Sequence, residues 1–273
     1  MSPTAPFTMG PSLLFCPADR PERYAKAAER ADAVILDLED AVAPAQKAAA
    51  RRHLVENPLD PERTIVRINP MGTPDSRKDL AALKQTRYTH IMVAKAESGA
   101  AVAQLMGYCV IALCETALGV VSAAEIALAP NVVALMWGAE DLLASLGGSS
   151  SRRADGSYRE VAAQARAQVL LAAGARGKSA IDAVYVNIGD LDGLAAEAQD
   201  AVASGFRATA CIHPGQVAVI RTAYAPTEDQ VAAATELLAA AKAAGTGVFA
   251  HRGRMVDGPI LKHAEATLRL AGR

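Results

Sequence analysis

Two carboxylates, Glu115 and Asp141, stand at the ends of consecutive apolar runs, VIALCET (110–116) and VVALMWGAEDL (132–142). If these runs form neighbouring strands, they lie about 4.8 Å apart, and both carboxylates can converge on one point. Two hard oxygen ligands with open coordination positions suit Mg²⁺, which keeps several waters and often takes only one or two carboxylates. The spacing therefore predicts a Mg²⁺ site at Glu115 and Asp141. Helix caps or salt bridges at loop starts are the structural alternative.

A second acidic group follows the apolar start of VILDLEDAV (34–42), where three carboxylates lie close together in the sequence. Along a strand, Asp37 and Glu39 point to one face and Asp40 points to the other. We therefore expect Asp37 and Glu39 to point inward, with Asp37 orienting a metal-bound water or a cation. Asp40 is expected to cap or pair near Pro44.

Polar side chains end most of the other apolar runs as well. Arg67 ends TIVRIN (64–69), Lys95 lies near the end of HIMVAKAE, and His213 lies near the end of TACIHP. Lys95 either touches a ligand or pairs with a neighbouring carboxylate, and His213 is either a ligand contact or a packed histidine. The histidines show no HxH or HExxH spacing, which argues against zinc.

The elements that must position these side chains are eight apolar runs separated by Ala-rich stretches of helical period. Nearly continuous apolar runs are typical of buried parallel strands. Strands alternating with helices predict an α/β fold, a (β/α)₈ TIM barrel, whose active site lies at the C-terminal ends of the strands. A doubly wound open sheet is the alternative, but GxGxxG and GxxxxGK[ST] motifs are absent. The predicted strands are 12–17, 33–40, 64–69, 90–97, 110–116, 132–142, 183–188 and 209–214.

The composition argues against several classes of partner. The chain has 273 residues, 51% of them hydrophobic, and a formal net charge of −1. No whole-protein field therefore draws it to nucleic acid or to a membrane surface. The sequence shows no signal peptide and no apolar run of about 18 residues, and its four cysteines have no CxxC spacing. We expect a cytoplasmic protein with buried, reduced thiols.

Two segments exceed what a barrel needs. The polar loop LGGSSSRRADGSYRE (146–160) either clamps a ligand or is a surface excursion. After the eighth strand the sequence predicts a helix, a long helix over 227–244, an irregular stretch and a last helix. Since one helix closes a barrel, we expect the barrel to occupy 1–225. Residues 226–273 are expected to form a C-terminal helical arm or lid.

Seven motifs occur in an order that identifies a family. They are FCPADRPERYAKA, VILDLEDAVAPAQKAAAR, RINPMGT, VAKAES, ALCETALGVVSAAEIA, WGAEDL and CIHPGQ. Together they resemble the HpcH/HpaI aldolase and citrate-lyase β-subunit superfamily. The likeness is strongest to its stand-alone CitE-like CoA-ester lyases, the malyl-CoA and citramalyl-CoA lyases, and it covers residues 12–265.

The resemblance implies a (β/α)₈ barrel that holds Mg²⁺ on Glu115 and Asp141, with Arg67 across from the metal. It also implies that Arg20 and Lys26, in the first βα segment, bind the phosphates of coenzyme A. Phe15 would lie along the CoA moiety. In relatives the C-terminal arm carries an aspartate and reaches a neighbouring subunit's site, which implies a homotrimer or a hexamer made of two trimers.

That aspartate is Asp257, inside GRMVDG. The implied chemistry is cleavage of a β-hydroxyacyl-CoA into an acyl-CoA enolate and a 2-oxo acid, glyoxylate or pyruvate, or the reverse condensation. Mg²⁺ binds the oxo acid, Arg67 stabilises the enolate, and Asp257 is the candidate base. From the sequence around it alone, Asp257 also reads as the N-cap of the last helix.

Three other activities stay open at this point: thioester hydrolysis on the same scaffold, a CoA-independent aldolase, and a citrate lyase β subunit that acts on an acyl-carrier thioester. The sequence also departs from the family pattern at two positions. Leu118 stands where relatives have a basic residue, and Gly215 stands where they have serine. The loop stretch 149–153 differs as well, and its hydroxyls and Arg152 either bind a substrate carboxylate or cap a helix.

Overall fold

The computed structural model describes residues 7–272. Eight parallel strands close into a barrel in chain order, with β8 pairing back onto β1. This confirms the predicted (β/α)₈ TIM barrel. The strands are β1 (Ser12–Pro17), β2 (Ala33–Asp37), β3 (Thr64–Ile68), β4 (His90–Val93), β5 (Cys109–Cys114), β6 (Val132–Trp137), β7 (Ser179–Asp182) and β8 (Ala208–Cys211).

Helices follow the strands, and several begin at side-chain caps. Thr73, Thr116 and Asp190 each accept a hydrogen bond from a backbone N–H in the first turn of the helix that follows. The helices are α1 (Tyr24–Arg30), α2 (Lys47–Glu56), α3 (Pro74–Leu83), α4 (Gly99–Ala103), α5 (Ala117–Val121), α6 (Ala123–Ile126), α7 (Ala139–Ser145), α8 (Glu160–Gly174), α9 (Leu191–Ser204), α10 (Val217–Tyr224), α11 (Glu228–Ala244) and α12 (Gly258–Leu270).

The barrel interior is filled by every second residue of its strands. These residues form one buried cluster that includes Leu13, Ile35, Ile65, Ile111 and Ala210. The two-residue alternation of strand side chains explains this pattern, because one face of each strand points into the barrel and the other faces the helices. The same alternation decides which polar residues at the strand ends face the barrel mouth.

The seventh strand lies earlier in the chain than predicted. The sequence favours AVYVNI (183–188), but β7 is Ser179–Asp182. The more apolar run follows the strand as a loop, and Val186 and Ile188 are each 44% exposed. Apolar character therefore misled the prediction here, because the pairing with β6 uses Ser179, Ala180 and Ile181 instead.

Several strands also end earlier than predicted, before the polar residues that were assigned to them. Strand β2 ends at Asp37 and β4 at Val93. Strand β6 ends at Trp137, and α7 begins at Ala139 after Gly138. The charged residues beyond these points belong to loops and helix starts at the barrel mouth.

The chain divides into two compact units, one up to Ile220 and one from Arg221 onward. The division falls within α10, slightly before the predicted boundary at 225. The second unit contains α11 and α12 and a two-stranded antiparallel hairpin, β9 (Phe249–His251) with β10 (Arg254–Val256). The predicted long helix, 227–244, is confirmed as Glu228–Ala244.

The four cysteines are free thiols, as predicted. Cys16, Cys114 and Cys211 are buried and Cys109 is half-buried. Within residues 7–272, every helix is too short or too polar to cross a membrane.

Candidate active site

A pocket of about 300 Å³ opens at the C-terminal ends of the barrel strands. Its polar wall comes from residues at or just beyond β2, β3, β5 and β6: Asp37, Asp40, Arg67, Glu115, Glu140 and Asp141. Its apolar wall comes from β1 and from β5 to β8: Phe15, Leu113, Met136, Val184 and Ile212. The structure thus brings Phe15, Asp37, Arg67, Glu115 and Asp141, all predicted site residues, into one cavity.

Arg67 and Asp37 form the rigid centre of the polar wall. They are register partners on neighbouring parallel strands, so their side chains leave the ladder side by side. Arg67 Nε and Nη2 donate to the two oxygens of Asp37 at 2.7 and 2.6 Å. Asp37 also accepts hydrogen bonds from the backbone N–H groups of Glu39 and Ala41. The aspartate therefore fixes the guanidinium, and it also shapes the turn that follows β2.

The third nitrogen of the Arg67 guanidinium faces Glu39, with Nη1 lying 3.3 Å from Oε2. The central carbon of the guanidinium, Arg67 Cζ, lies 4.8 Å from the centre of the Phe15 ring, a cation–π contact. Burial lowers the pKa of Arg67, but hydrogen bonding to Asp37 and the charges of Asp37 and Glu39 outweigh it and raise the pKa. Arg67 is a permanent, immobile positive charge at the pocket wall.

Lys95 connects the two halves of the acidic wall. Its ammonium contacts Glu39, lies 3.0 Å from Asp40 Oδ2 and lies 3.4 Å from Asp141 Oδ1. Its backbone N–H donates to Glu115 Oε1 at 3.0 Å. Of the two roles left open by the sequence, the structure shows the pairing with carboxylates.

Glu115 is almost fully buried, with 3% of its surface exposed. Burial, reinforced by the negative charge of Asp141, raises its pKa to about 8. The backbone of Gly138 packs directly against it: a Cβ at this position would lie 2.9 Å from Glu115 Cβ and 3.0 Å from Oε2. The glycine in WGAED therefore allows the β6–α7 turn to approach Glu115.

Asp141 lies in the first turn of α7, so the prediction that it ends the sixth strand is wrong. Gly138 interrupts the strand, and acidic residues are favoured in the first turn of a helix because the helix dipole is positive there. Asp141 still lines the same pocket as Glu115. The two carboxylates thus line one pocket, although one comes from a helix and not from a strand, and their sharing of a metal stays a prediction.

Asp40 lies elsewhere than the alternation predicted. Glu39 is buried and Asp40 is exposed, as expected for opposite faces. Asp40, however, lines the pocket and pairs with Lys95 rather than near Pro44. The strand ends at Asp37, so strand alternation no longer dictates where the next residues point.

The two predicted CoA-binding cations lie outside the pocket. Arg20 and Lys26 are both exposed, one just after β1 and the other in α1. Arg20 donates its backbone N–H to Pro17, which lines the pocket. The first βα segment therefore carries its positive charge in solvent beside the last residue of β1.

Asp257 lies in the second unit, immediately before α12. It occupies the N-cap position of that helix, as the sequence around it allows. Among the described residues, however, its side chain makes no capping hydrogen bond. The carboxylate is half-buried and belongs to the segment that follows the β9–β10 hairpin.

His213 is exposed and caps the short helical turn at Pro214–Gln216 through a hydrogen bond from the Gly215 N–H to its Nδ1. Of the two roles that the sequence left open, the packed histidine is wrong because the side chain is exposed, and a ligand contact stays a prediction. In the loop 146–160, Arg152 forms an ion pair with Glu197 and stacks on Tyr158. Arg152 thus has protein partners and anchors the loop.

The charges around the pocket do not balance. Glu140 lines the pocket and accepts a hydrogen bond from Ser151. Apart from Glu140, five carboxylates (Asp37, Glu39, Asp40, Glu115, Asp141) surround two cations (Arg67, Lys95), a formal charge of −3 when all are ionised. We call these five carboxylates the acidic cluster. The sequence showed its members and left open whether Lys95 pairs with a carboxylate or touches a ligand. A lysine just after a strand in VAKAES was the available signal.

The donor set fits a hard divalent cation. Burial and the negative charge of Asp141 raise the pKa of Glu115. A Mg²⁺ ion held by Glu115 and Asp141 would favour the ionised form of Glu115. The ligands available are carboxylate oxygens, which Mg²⁺ prefers. Fold and site together define a class: a (β/α)₈ barrel protein whose catalytic face holds an acidic pocket suited to Mg²⁺.

The chain belongs to the HpcH/HpaI aldolase/citrate lyase family, whose model matches residues 11–214. A citrate lyase subunit beta-like protein of Mycobacterium tuberculosis is 59% identical over 263 residues, 96% of each chain. The crystal structure of protein CitE from M. tuberculosis in complex with magnesium, acetoacetate and coenzyme A is similar with a TM-score of 0.93. Its identity is 59%, and the match covers 97% of this chain and 99% of that one. A (3S)-malyl-CoA thioesterase of Cereibacter sphaeroides is 35% identical over 274 residues, 95% of this chain and 94% of its own.

Proposed function

We propose that the protein is a Mg²⁺-dependent carbon–carbon lyase. It cleaves or forms a β-hydroxyacyl-CoA of the malyl-CoA or citramalyl-CoA type, with glyoxylate or pyruvate as the 2-oxo acid. One observation carries the proposal: Glu115 and Asp141 line the same pocket as the buried Arg67. The M. tuberculosis relative that holds magnesium, acetoacetate and coenzyme A supports this choice of ligands.

In this proposal Glu115 and Asp141 hold the metal. Bound Mg²⁺ would supply a Lewis acid and a template for the carbonyl and carboxylate oxygens of the oxo acid. Glu115 is kept in place by the N–H of Lys95 and by the close approach of Gly138. Asp141 projects from the first turn of α7.

Arg67 is the catalytic cation of the proposal. Removing a proton from the acyl-CoA methyl group places negative charge on the thioester oxygen, and a fixed positive charge beside that oxygen lowers the barrier. Asp37 holds the guanidinium through two hydrogen bonds. Glu39, which faces Nη1, completes the support. Asp37 and Glu39 thus act as positioning residues for Arg67.

Asp257 is the proposed base. In the condensing direction its carboxylate takes a proton from the acyl-CoA methyl carbon, that carbon attacks the oxo-acid carbonyl, and the resulting alkoxide takes a proton from solvent. In the cleaving direction the hydroxyl gives its proton to solvent, the carbon–carbon bond breaks, and the protonated Asp257 gives its proton to the carbon. The absence of a capping hydrogen bond among the described residues leaves its oxygens available for this work.

The size of the pocket limits what it encloses. About 300 Å³ is at the lower end of small-molecule sites. It has room for a small oxo acid and a short acyl group, but the nucleotide of coenzyme A must lie outside. Arg20 and Lys26, which are exposed beside the first strand, are proposed to bind its phosphates, and Phe15 to contact the acyl end.

The test is product analysis by mass spectrometry. The protein is incubated with malyl-CoA, citramalyl-CoA and related esters, with Mg²⁺ or with EDTA. A lyase gives an acyl-CoA and glyoxylate or pyruvate, only with the metal. The matched control is Glu115→Gln, which keeps an oxygen that can accept the Lys95 N–H but loses the charge. Metal-independent cleavage, or full activity in Glu115→Gln, would contradict the proposal.

Hydrolysis of the thioester is a second candidate, favoured by the similarity to a (3S)-malyl-CoA thioesterase. Water would then attack the thioester carbonyl, and free CoA and a hydroxy acid would appear with the carbon skeleton intact. An acyl-carrier thioester, the substrate type of a citrate lyase β subunit, is the other alternative. The same assay with an acylated carrier protein separates these outcomes.

The proposal includes a cytoplasmic homotrimer or hexamer, in which residues 226–273 form an arm that reaches a neighbouring subunit. The proposal rests on the resemblance to relatives whose C-terminal arm, with its aspartate, reaches a neighbouring subunit's site. Light scattering on the purified protein measures the assembly. Mixing Asp257→Asn subunits with Arg67→Lys subunits tests whether two subunits form one site. If the arm of one subunit completes the pocket of another, the mixture should regain activity that neither variant has alone.

A further inference from the structure

We propose that Lys95 is a built-in counter-cation of the metal site, which neutralises Asp141 until a divalent cation binds and then keeps only Glu39 and Asp40. This inference rests on the proposed function. It assigns a role to the side chain of a residue whose backbone N–H alone was used above, to hold Glu115. The geometry that carries it is the contact of one residue with both proposed metal ligands.

The first contact is made by the backbone. The Lys95 N–H donates to Glu115 Oε1 at 3.0 Å, and so it fixes the carboxylate that the metal would share. Lys95 has φ +48°, in the left-handed region that non-glycine residues seldom adopt. Such backbone conformations persist where the surrounding contacts determine them, often at functional sites. At Lys95 the contacts of the backbone N–H and of the side-chain ammonium determine this conformation.

The second contact is made by the ammonium. It lies 3.4 Å from Asp141 Oδ1, 3.0 Å from Asp40 Oδ2, and in direct contact with Glu39. Asp141 is therefore the most distant of its three partners. When a second cation competes for these carboxylates, Asp141 is the contact that Lys95 gives up with least loss, because Glu39 and Asp40 remain.

Repulsion between the Lys95 ammonium and a bound metal ion predicts that each weakens the binding of the other to Asp141. Two cations that use the same carboxylate oxygens oppose each other's binding. Lys95 thereby lowers the affinity for the metal while it keeps the acidic cluster from repelling itself apart. This leads to an expectation opposite to that for a structural support: removing the ammonium should tighten metal binding.

The test is Mg²⁺ titration by calorimetry on the full chain. Lys95→Asn removes the charge and suits the left-handed backbone, since asparagine adopts it more readily than most residues. We expect Mg²⁺ to bind at least about fivefold more tightly to this variant than to the wild type, the low end of usual coupling between sites. The control is Lys84→Asn, the same charge change at an exposed residue of the first unit, whose affinity should stay at the wild-type value.

Unchanged or weaker Mg²⁺ binding in a folded Lys95→Asn protein overturns the inference. Glu115→Gln separates this failure from that of the proposed function: if it binds Mg²⁺ like the wild type, the metal site itself is wrong. A measurement on the unmodified protein serves if Lys95→Asn does not fold. In a crystal structure with Mg²⁺, Lys95 Nζ should lie more than about 4 Å from Asp141, beyond salt-bridge distance, and should still contact Glu39. Persistence of the Asp141 contact refutes the exchange.

Discussion

Two buried aspartates end strands of this barrel, and each is held by an arginine through two nitrogens. Asp37 ends β2 and pairs with Arg67 from the neighbouring strand, inside the barrel. Asp182 ends β7 and pairs with Arg166 from α8, between strand and helix. The pairs are chemically alike, but only the first lines the pocket.

Their surroundings explain the difference in role. The Asp182 carboxylate also accepts a hydrogen bond from Trp137 Nε1 at 2.6 Å, and Arg166 also pairs with Asp200. That network is closed by protein groups. Around Asp37 the acidic cluster exceeds its two cations, and the surplus negative charge faces a cavity. A buried ion pair is therefore structural where protein groups satisfy it and the extra carboxylate, here Asp200, is exposed to solvent. It supports chemistry where the surplus negative charge faces a cavity that can hold a ligand.

The largest effect should come from removing one carboxylate in each region. Glu115→Gln is expected to lose about a thousandfold or more in kcat, because the metal and the charge it stabilises are lost together. Asp182→Asn should lower the melting temperature while kcat of the folded protein stays close to wild type. Steady-state kinetics and thermal unfolding of both variants check the contrast. A large loss of kcat in Asp182→Asn would break it.

The second contrast exchanges the two arginines for lysine, which keeps the charge but cannot form the two-pronged pair. Arg67→Lys should lower kcat about a hundredfold, because the fixed cation at the pocket wall is displaced. Arg166→Lys should leave kcat within about threefold, since its partners do not line the pocket. Equal effects on kcat in the two variants would show that the distinction is wrong.

A third prediction concerns pH and the metal-free protein. The pKa of Glu115 is raised to about 8 by burial, from an ordinary value of 4.5. The folded state thus holds a proton that the unfolded state releases, so this group's contribution to stability is complete below pH 4.5 and declines until about pH 8. In EDTA at pH 9, Glu115→Gln should be about 1–3 kcal/mol more stable than the wild type, the usual scale for an unsatisfied buried group. Urea unfolding at pH 5 and pH 9 measures the difference, which should nearly vanish at the lower pH.

The smallest effect tests the packing of the pocket. Gly138→Ala places a methyl group against Glu115 and should weaken Mg²⁺ binding about three- to tenfold, a cost of about 1 kcal/mol. Gly174→Ala, at the end of α8 in open space, is the control and should slightly stabilise the protein. Calorimetric Mg²⁺ titration of both variants decides the point. Unchanged affinity in Gly138→Ala would mean that Glu115 can move without loss.

Strand periodicity was reliable where the ladder holds and failed beyond it. Asp37 and Arg67 lie within their strands and Glu115 lies one residue past β5; all three follow the alternation of the inward residues and line the pocket. Asp40 and Asp141 lie after the strands end, in a turn and a helix. The rule that placed them no longer applies there. The seventh strand was misplaced because its four residues are less apolar than the loop after it.

The sequence by itself determined the barrel, the acidic and basic residues at its mouth, and the family, because continuous apolar runs and ordered motifs are local properties of the chain. Only the tertiary structure decided how those charges combine. The Lys95 ammonium reaches carboxylates from two other segments, Glu39 and Asp40 after β2 and Asp141 in α7, and distances between segments are set by barrel closure. The same closure places the Asp182 pair between strand and helix, away from the pocket, and the Asp37 pair at the pocket wall, a difference that no strand carries in its own sequence.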